Sequence, residues 1–141
     1  MNIRGNGFAW SDQHRASAWS TDDGTTFSAP VRCPLREPDK GGCSAGLVAL
    51  PEANGPTRLF LSEPAGGADG GHENRSSLTL HCSLDGGVSF PHSLQVGKQR
   101  AAGYSAMRVV NTTEGEQRIL IVWEVPPTQQ AEFVETSWCS R

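Results

Sequence analysis

Apolar and polar residues alternate in short runs along this 141-residue chain. Leu78, Leu80 and Cys82 alternate with Thr79 and His81, which is the two-residue period of a strand with one buried face. Pattern and composition together predict strands over 15–20, 47–50, 58–62, 77–83, 107–110, 119–124 and 132–136. Turn clusters such as Pro38-Asp39-Lys40-Gly41-Gly42 and the glycine-rich 65–71 separate them. No segment sustains a helical period with caps. The expectation is an all-β chain of antiparallel strands joined by turns.

One turn occurs twice. Ser20-Thr21-Asp22-Asp23-Gly24-Thr25-Thr26-Phe27 and Ser83-Leu84-Asp85-Gly86-Gly87-Val88-Ser89-Phe90 share the pattern Ser-x-Asp-x-Gly-x-(Thr/Ser)-Phe, 63 residues apart. An aspartate closes such a turn by accepting backbone N–H groups. Glycine takes a positive φ at little cost, and the hydroxyls satisfy further backbone groups. Asp22 and Asp85 are therefore expected to hold turns, with Ser20, Gly24, Ser83 and Gly87 completing them and Phe27 and Phe90 anchoring them.

Composition narrows the picture. Sixteen glycines and nine prolines suit many strands and turns, and the length fits one domain spanning 1–141. The net charge is −3 and no two Lys or Arg are adjacent, so no basic stripe for nucleic acid is present. The longest apolar run, Ile119 to Trp123, falls far short of the roughly 20 residues of a membrane-spanning helix. Four cysteines, Cys33, Cys43, Cys82 and Cys139, contain no Cys-x-x-Cys. Zinc-ribbon and thioredoxin-type readings fail on that spacing, and the cysteines are expected to be small buried hydrophobes. No His/Cys cluster offers metal spacing, so no metal is expected. The glycines before His72 lack the Gly-Lys-(Ser/Thr) ending of a phosphate loop.

The order of motifs adds more. Asn2-Ile3-Arg4 precedes the first turn, and Gly42-Cys43-Ser44-Ala45-Gly46 opens an apolar strand. Leu59-Phe60-Leu61-Ser62-Glu63-Pro64 follows, and Arg75 leads into the second turn. Gly103-Tyr104-Ser105 comes next, then Ile121-Val122-Trp123-Glu124. The repeated turn resembles the Asp-box of sialidase-type and other β-propellers. The full succession resembles the C-terminal half of the exo-α-sialidase family over nearly the whole chain.

That resemblance implies a six-bladed β-propeller of which this chain covers about the last three blades. It makes Tyr104 similar to the family nucleophile. A neutral phenol avoids the repulsion that a carboxylate nucleophile would meet from the sialic acid carboxylate, and sialidases depart from the two-carboxylate scheme for that reason. Arg4 and Arg75 are similar to the second and third of three arginines that bind that carboxylate, a task suited to the guanidinium fork. Glu124 is similar to the glutamate that orients the first arginine. The implied activity is retaining hydrolysis of terminal sialic acids from glycoproteins, glycolipids and oligosaccharides, with a sialylated glycan as the partner and no cofactor.

The resemblance also sets expectations about what lies outside the motifs present. A free phenol with pKa about 10 needs an adjacent base to attack at neutral pH. The family places that base, the acid/base aspartate and the first arginine upstream of Asn2-Ile3-Arg4. The N-terminus, Met1 to Asn6, reads as the middle of a domain, so the chain is expected to be a fragment, inactive alone and prone to associate through its exposed propeller cut. The competing reading is a non-catalytic Asp-box propeller module that binds a sugar acid or a protein; a third is an inactive descendant that keeps the motifs. Lysosome, cytoplasm and membrane association all stay open as compartments. Two sequons occur, Asn74-Arg75-Ser76 and Asn111-Thr112-Thr113. A glycan at the first would crowd Arg75, and that sequon reads as chance, because the tripeptide is common and needs a secretory context.

Overall fold

The computed structural model describes residues 2–3, 14–36, 44–52, 54–66, 75–97, 103–125 and 127–139. These form ten strands and no helix: β1 (Asn2–Ile3), β2 (His14–Ser17), β3 (Val31–Arg36), β4 (Gly46–Leu50), β5 (Arg58–Gly66), β6 (Arg75–Ser83), β7 (His92–Gln95), β8 (Ser105–Asn111), β9 (Gln117–Val125) and β10 (Thr128–Glu135). They assemble as three antiparallel sheets of consecutive strands, β1-β2-β3, β4-β5-β6-β7 and β8-β9-β10. All seven predicted strands are present. The three additional ones are β1, β3 and β7. Among the described residues no helix is long and apolar enough to cross a membrane.

β3 escapes the hydrophobic pattern because Pro34 sits inside it. The strand lies at the edge of its sheet, and the pairing of β2 with β3 shifts register between His14↔Arg36 and Ala16↔Arg32. Edges and bulges are where a strand tolerates a residue without an N–H. β7, His-Ser-Leu-Gln, is a short edge strand with one apolar residue.

The middle sheet is covered on both faces. Antiparallel partners point to the same side, so the registers define two faces. Leu47, Leu59, Leu61, Glu63 and His81 share the face toward the first sheet, where Glu63 meets Arg15. Gly46, Leu50, Phe60, Ser62, Leu78, Leu80 and Cys82 share the other, toward the third sheet. There Leu50, Phe60, Leu78, Leu80 and Cys82 form one core with Ile119, Ile121, Trp123, Val134 and Cys139. The close approach of β4 to β8 depends on Gly46, where a Cβ would fall 2.9 Å from Ser62 Oγ and 3.1 Å from the Met107 backbone nitrogen. The two sheets also share a buried hydrogen bond, 2.8 Å between the hydroxyls of Ser62 and Ser105.

Residues 136–139 close back onto the middle sheet. Trp138 stacks edge-on against Phe60, with ring centroids 5.7 Å apart. Arg58 donates to the carbonyls of Thr136 at 2.6 Å and Cys139 at 3.2 Å. Cys139 is bonded to Cys82 in β6. The expectation of buried thiols is thus corrected for this pair: both sulfurs are buried, but as a disulfide that fastens the end of the third sheet to the middle one. Cys33 is free and buried, and Cys43 lies outside the described residues.

Candidate functional site

The two repeated turns have the same internal bonding. In the first, Ser20 Oγ donates to Asp22 Oδ1 at 2.7 Å and accepts the Gly24 N–H at 2.8 Å. Asp22 accepts the Thr26 N–H at 2.9 Å and the Thr26 hydroxyl at 2.7 Å. In the second, Ser83 donates to Asp85 at 2.7 Å and accepts Gly87 N–H at 2.8 Å. Asp85 accepts the Ser89 N–H at 2.9 Å and its hydroxyl at 2.6 Å. Positive φ falls on the equivalent pairs Asp23-Gly24 (54° and 86°) and Gly86-Gly87 (74° and 89°). These donors favour the ionised carboxylates. The Thr26 hydroxyl, followed by its N–H and Ser20, lowers Asp22 from its ordinary 3.8 to about 2. The Ser89 hydroxyl, followed by its N–H, does the same for Asp85, also to about 2. Both aspartates thus serve their own turns. Phe90 is half-buried against Gly87, whereas Phe27 is 44% exposed and anchors less than the pattern predicts.

A hydrogen bond joins the region of one turn to the other: Trp19 Nε1 donates to the Gly86 carbonyl at 2.8 Å. The second turn follows the end of β6, and Arg75 begins that strand, so the turn and Arg75 lie at opposite ends. Arg75 pairs with Gly66 at the end of β5. Ser62 of that strand touches Ser105 at the start of β8, and Tyr104 immediately precedes Ser105. Ser62 is midway along β5, and the orientation comes from its other end: Arg58 donates to the Thr136 carbonyl, and Thr136 touches Gln117, the partner of Asn111 at the far end of β8. Tyr104, at the opposite end of β8, therefore lies on the Arg75 side of the middle sheet, away from the repeated turns. Arg4 lies outside the described residues.

Tyr104 and Glu124 are joined directly. Glu124 N–H donates to the Tyr104 carbonyl at 3.0 Å, and the Gly103 N–H donates to the Glu124 carbonyl at 2.8 Å. The Glu124 carboxylate accepts the Tyr104 backbone N–H at 3.2 Å. The backbone at the nucleophile candidate is thus held on three sides of one short ladder end. Tyr104 is 46% exposed. Glu124, Pro127, Thr128 and Gln129 line an open depression of about 490 Å³ at this same strand end. The structure gives Glu124 a role that sequence did not suggest, that of fixing Tyr104 itself.

A second charged group escaped sequence reasoning. Arg15 Nε donates to Glu63 Oε2 at 2.8 Å, and His81 Nε2 lies 3.3 Å from Glu63 Oε1. The Arg15 and Glu63 side chains are 2% and 7% exposed. The signal was present in the two-residue period, since Glu63 falls on the face of Leu59 and Leu61. A charge at an inward strand position requires a partner from the next sheet.

Compared with known proteins, the chain matches no family model, and no curated protein is significantly similar to it.

Proposed function

We propose that the chain is the C-terminal portion of an exo-α-sialidase propeller, with Tyr104 as the nucleophile of a retaining reaction on terminal sialic acids. The observation that carries this reading is the exposed Tyr104, fixed through its backbone by Glu124, on the Arg75 side of the neighbouring sheet. A cation on that side is suited to the sialic acid carboxylate, and an exposed phenol is suited to its anomeric carbon.

Three stacked sheets of consecutive antiparallel strands support the propeller part of the proposal, each sheet taking the place of a blade. The two repeated turns, at equivalent places after β2 and β6, support it too. The outer face of the third sheet points the same way. Leu120 and Val122 are half-buried there and Phe133 is 60% exposed, an apolar surface that a further blade would cover. The base that activates the phenol, the acid/base carboxylate and a further carboxylate-binding arginine belong, in this reading, to such additional blades.

Sialic acid titrated into an isotope-labelled protein that includes the remaining blades tests the proposal. Shifts are expected at the amides of Tyr104 and Arg75 and are lost in Arg75→Ala; a titration that leaves both amides unmoved overturns it. In a protein that includes the remaining blades, Tyr104→Phe is expected to remove hydrolysis by orders of magnitude while binding survives.

A further inference from the structure

The sequon Asn111-Thr112-Thr113 plays no part in that reading, and the structure places it where a modification fits. Asn111 is the last residue of β8, and the turn 112–116 carries the chain into β9. Asn111 and Thr113 are both exposed. The middle threonine is committed to the turn instead: its hydroxyl accepts the Glu116 N–H at 3.1 Å, and its own N–H donates to the Glu116 carbonyl at 2.8 Å. The acceptor asparagine and the hydroxyl two residues on thus face solvent from a fixed hairpin corner. Gln117 Nε2 approaches Asn111 Oδ1 at 3.4 Å. This contact uses only the amide oxygen, which remains an acceptor after the nitrogen is glycosylated.

A sequon alone is common. Its meaning depends on whether the chain passes through a compartment that glycosylates, and the disulfide speaks to that independently. Cys82 and Cys139 are 0% and 1% exposed, 57 residues apart, and bonded to each other. Structural disulfides form and persist in oxidising compartments and are rare in the cytosol. Asn-x-(Ser/Thr) acceptors are used in those same compartments. We infer that Asn111 is an N-glycosylation site, used as the chain folds and forms its Cys82–Cys139 disulfide in an oxidising lumen.

The acceptor chemistry is complete once a lipid-diphosphate-linked oligosaccharide is the donor. The Asn111 amide nitrogen forms a bond to the sugar's anomeric carbon, the carbon–oxygen bond to the diphosphate breaks, and the amide proton leaves with the lipid diphosphate. The location is compatible with activity. Asn111 ends β8 and Tyr104 precedes its start, so the strand's length separates the glycan from the candidate site. This inference stands on surface geometry and the disulfide and does not rest on the sialidase reading.

The test is expression of the chain behind a cleavable secretion signal in a glycosylating eukaryotic host, with protein recovered from medium and lysate alike. Peptide-N-glycosidase is expected to collapse the wild-type band by one glycan and leave aspartate at position 111 in the peptide map. Asn111→Gln and Thr113→Ala abolish that shift, and Thr113→Ser retains it. The same map, run without reduction, reads the Cys82–Cys139 linkage. Unmodified Asn111 in wild-type chain, a glycan confined to Asn74, or free thiols at Cys82 and Cys139 would each overturn the inference.

Discussion

The Glu124 carboxylate accepts the backbone N–H of Tyr104 at 3.2 Å, and the residue that makes room for it is Gly103. A Cβ built on Gly103 would fall 2.5 Å from Glu124 Oε2 and 2.8 Å from Glu124 Cβ. The carboxylate can swing aside, but the Glu124 Cβ is fixed to β9. Gly103→Ala is therefore expected to expel the carboxylate from Tyr104 and to destabilise the chain by about 1–3 kcal/mol, the usual range for forced overpacking. Urea denaturation measures the loss, and the Tyr104 amide resonance reports the broken bond. An unchanged amide shift in that variant would show that glycine is not what seats Glu124.

Arg15 and Glu63 tie the first sheet to the middle one through a buried ion pair. Removing one member leaves the other charge buried, at a typical cost of about 3–5 kcal/mol. Arg15→Met and Glu63→Leu are each expected to be that damaging. The double variant is expected to lose less than their sum, because apolar side chains of similar volume leave no orphaned charge. Denaturation midpoints of the four proteins form the cycle. Additivity within about 0.5 kcal/mol would mean that the two groups are not coupled.

Much of this fold was legible from local pattern, and the exceptions have physical causes. The strict alternation of Leu78, Leu80 and Cys82 predicts a strand over 77–83, and β6 runs Arg75–Ser83. β3 was not visible, since Pro34 belongs in strands only at edges or irregularities, and an edge can be recognised only once the sheet is assembled. The turns were legible as aspartate-closed turns, because Ser20, Asp22 and Thr26 act within seven residues of each other, although the Thr26 hydroxyl donates to the Asp22 carboxylate and not to the backbone group expected of it. The tie between Glu124 and the Tyr104 N–H depends on which strands pair, and the Arg15–Glu63 contact depends on which sheets stack. The Cys82–Cys139 bond joins residues 57 apart through that same stacking. The two-residue period marks Glu63 as inward-facing but does not name its partner, and the other two contacts are not encoded in a local period at all.

The turn aspartates make the acid limb of stability predictable in sign. Asp22 and Asp85 are each lowered from 3.8 to about 2 by hydroxyl and backbone donors that the unfolded chain does not supply. Their ionised forms are bound more favourably in the folded state, so their contribution is fully present above about pH 4. It is lost as pH falls toward about 2, where the folded carboxylates take up protons. Both groups are exposed, so water screens the effect and each contribution is small. Asp22→Asn with Asp85→Asn replaces both titrating groups by amides. The expected result is lower stability than wild type at pH 6, with a smaller further loss on going to pH 2.5. Urea midpoints at the two pH values measure it. If the double variant loses as much stability as wild type between them, the acid limb arises elsewhere and the turn carboxylates do not contribute through their ionisation.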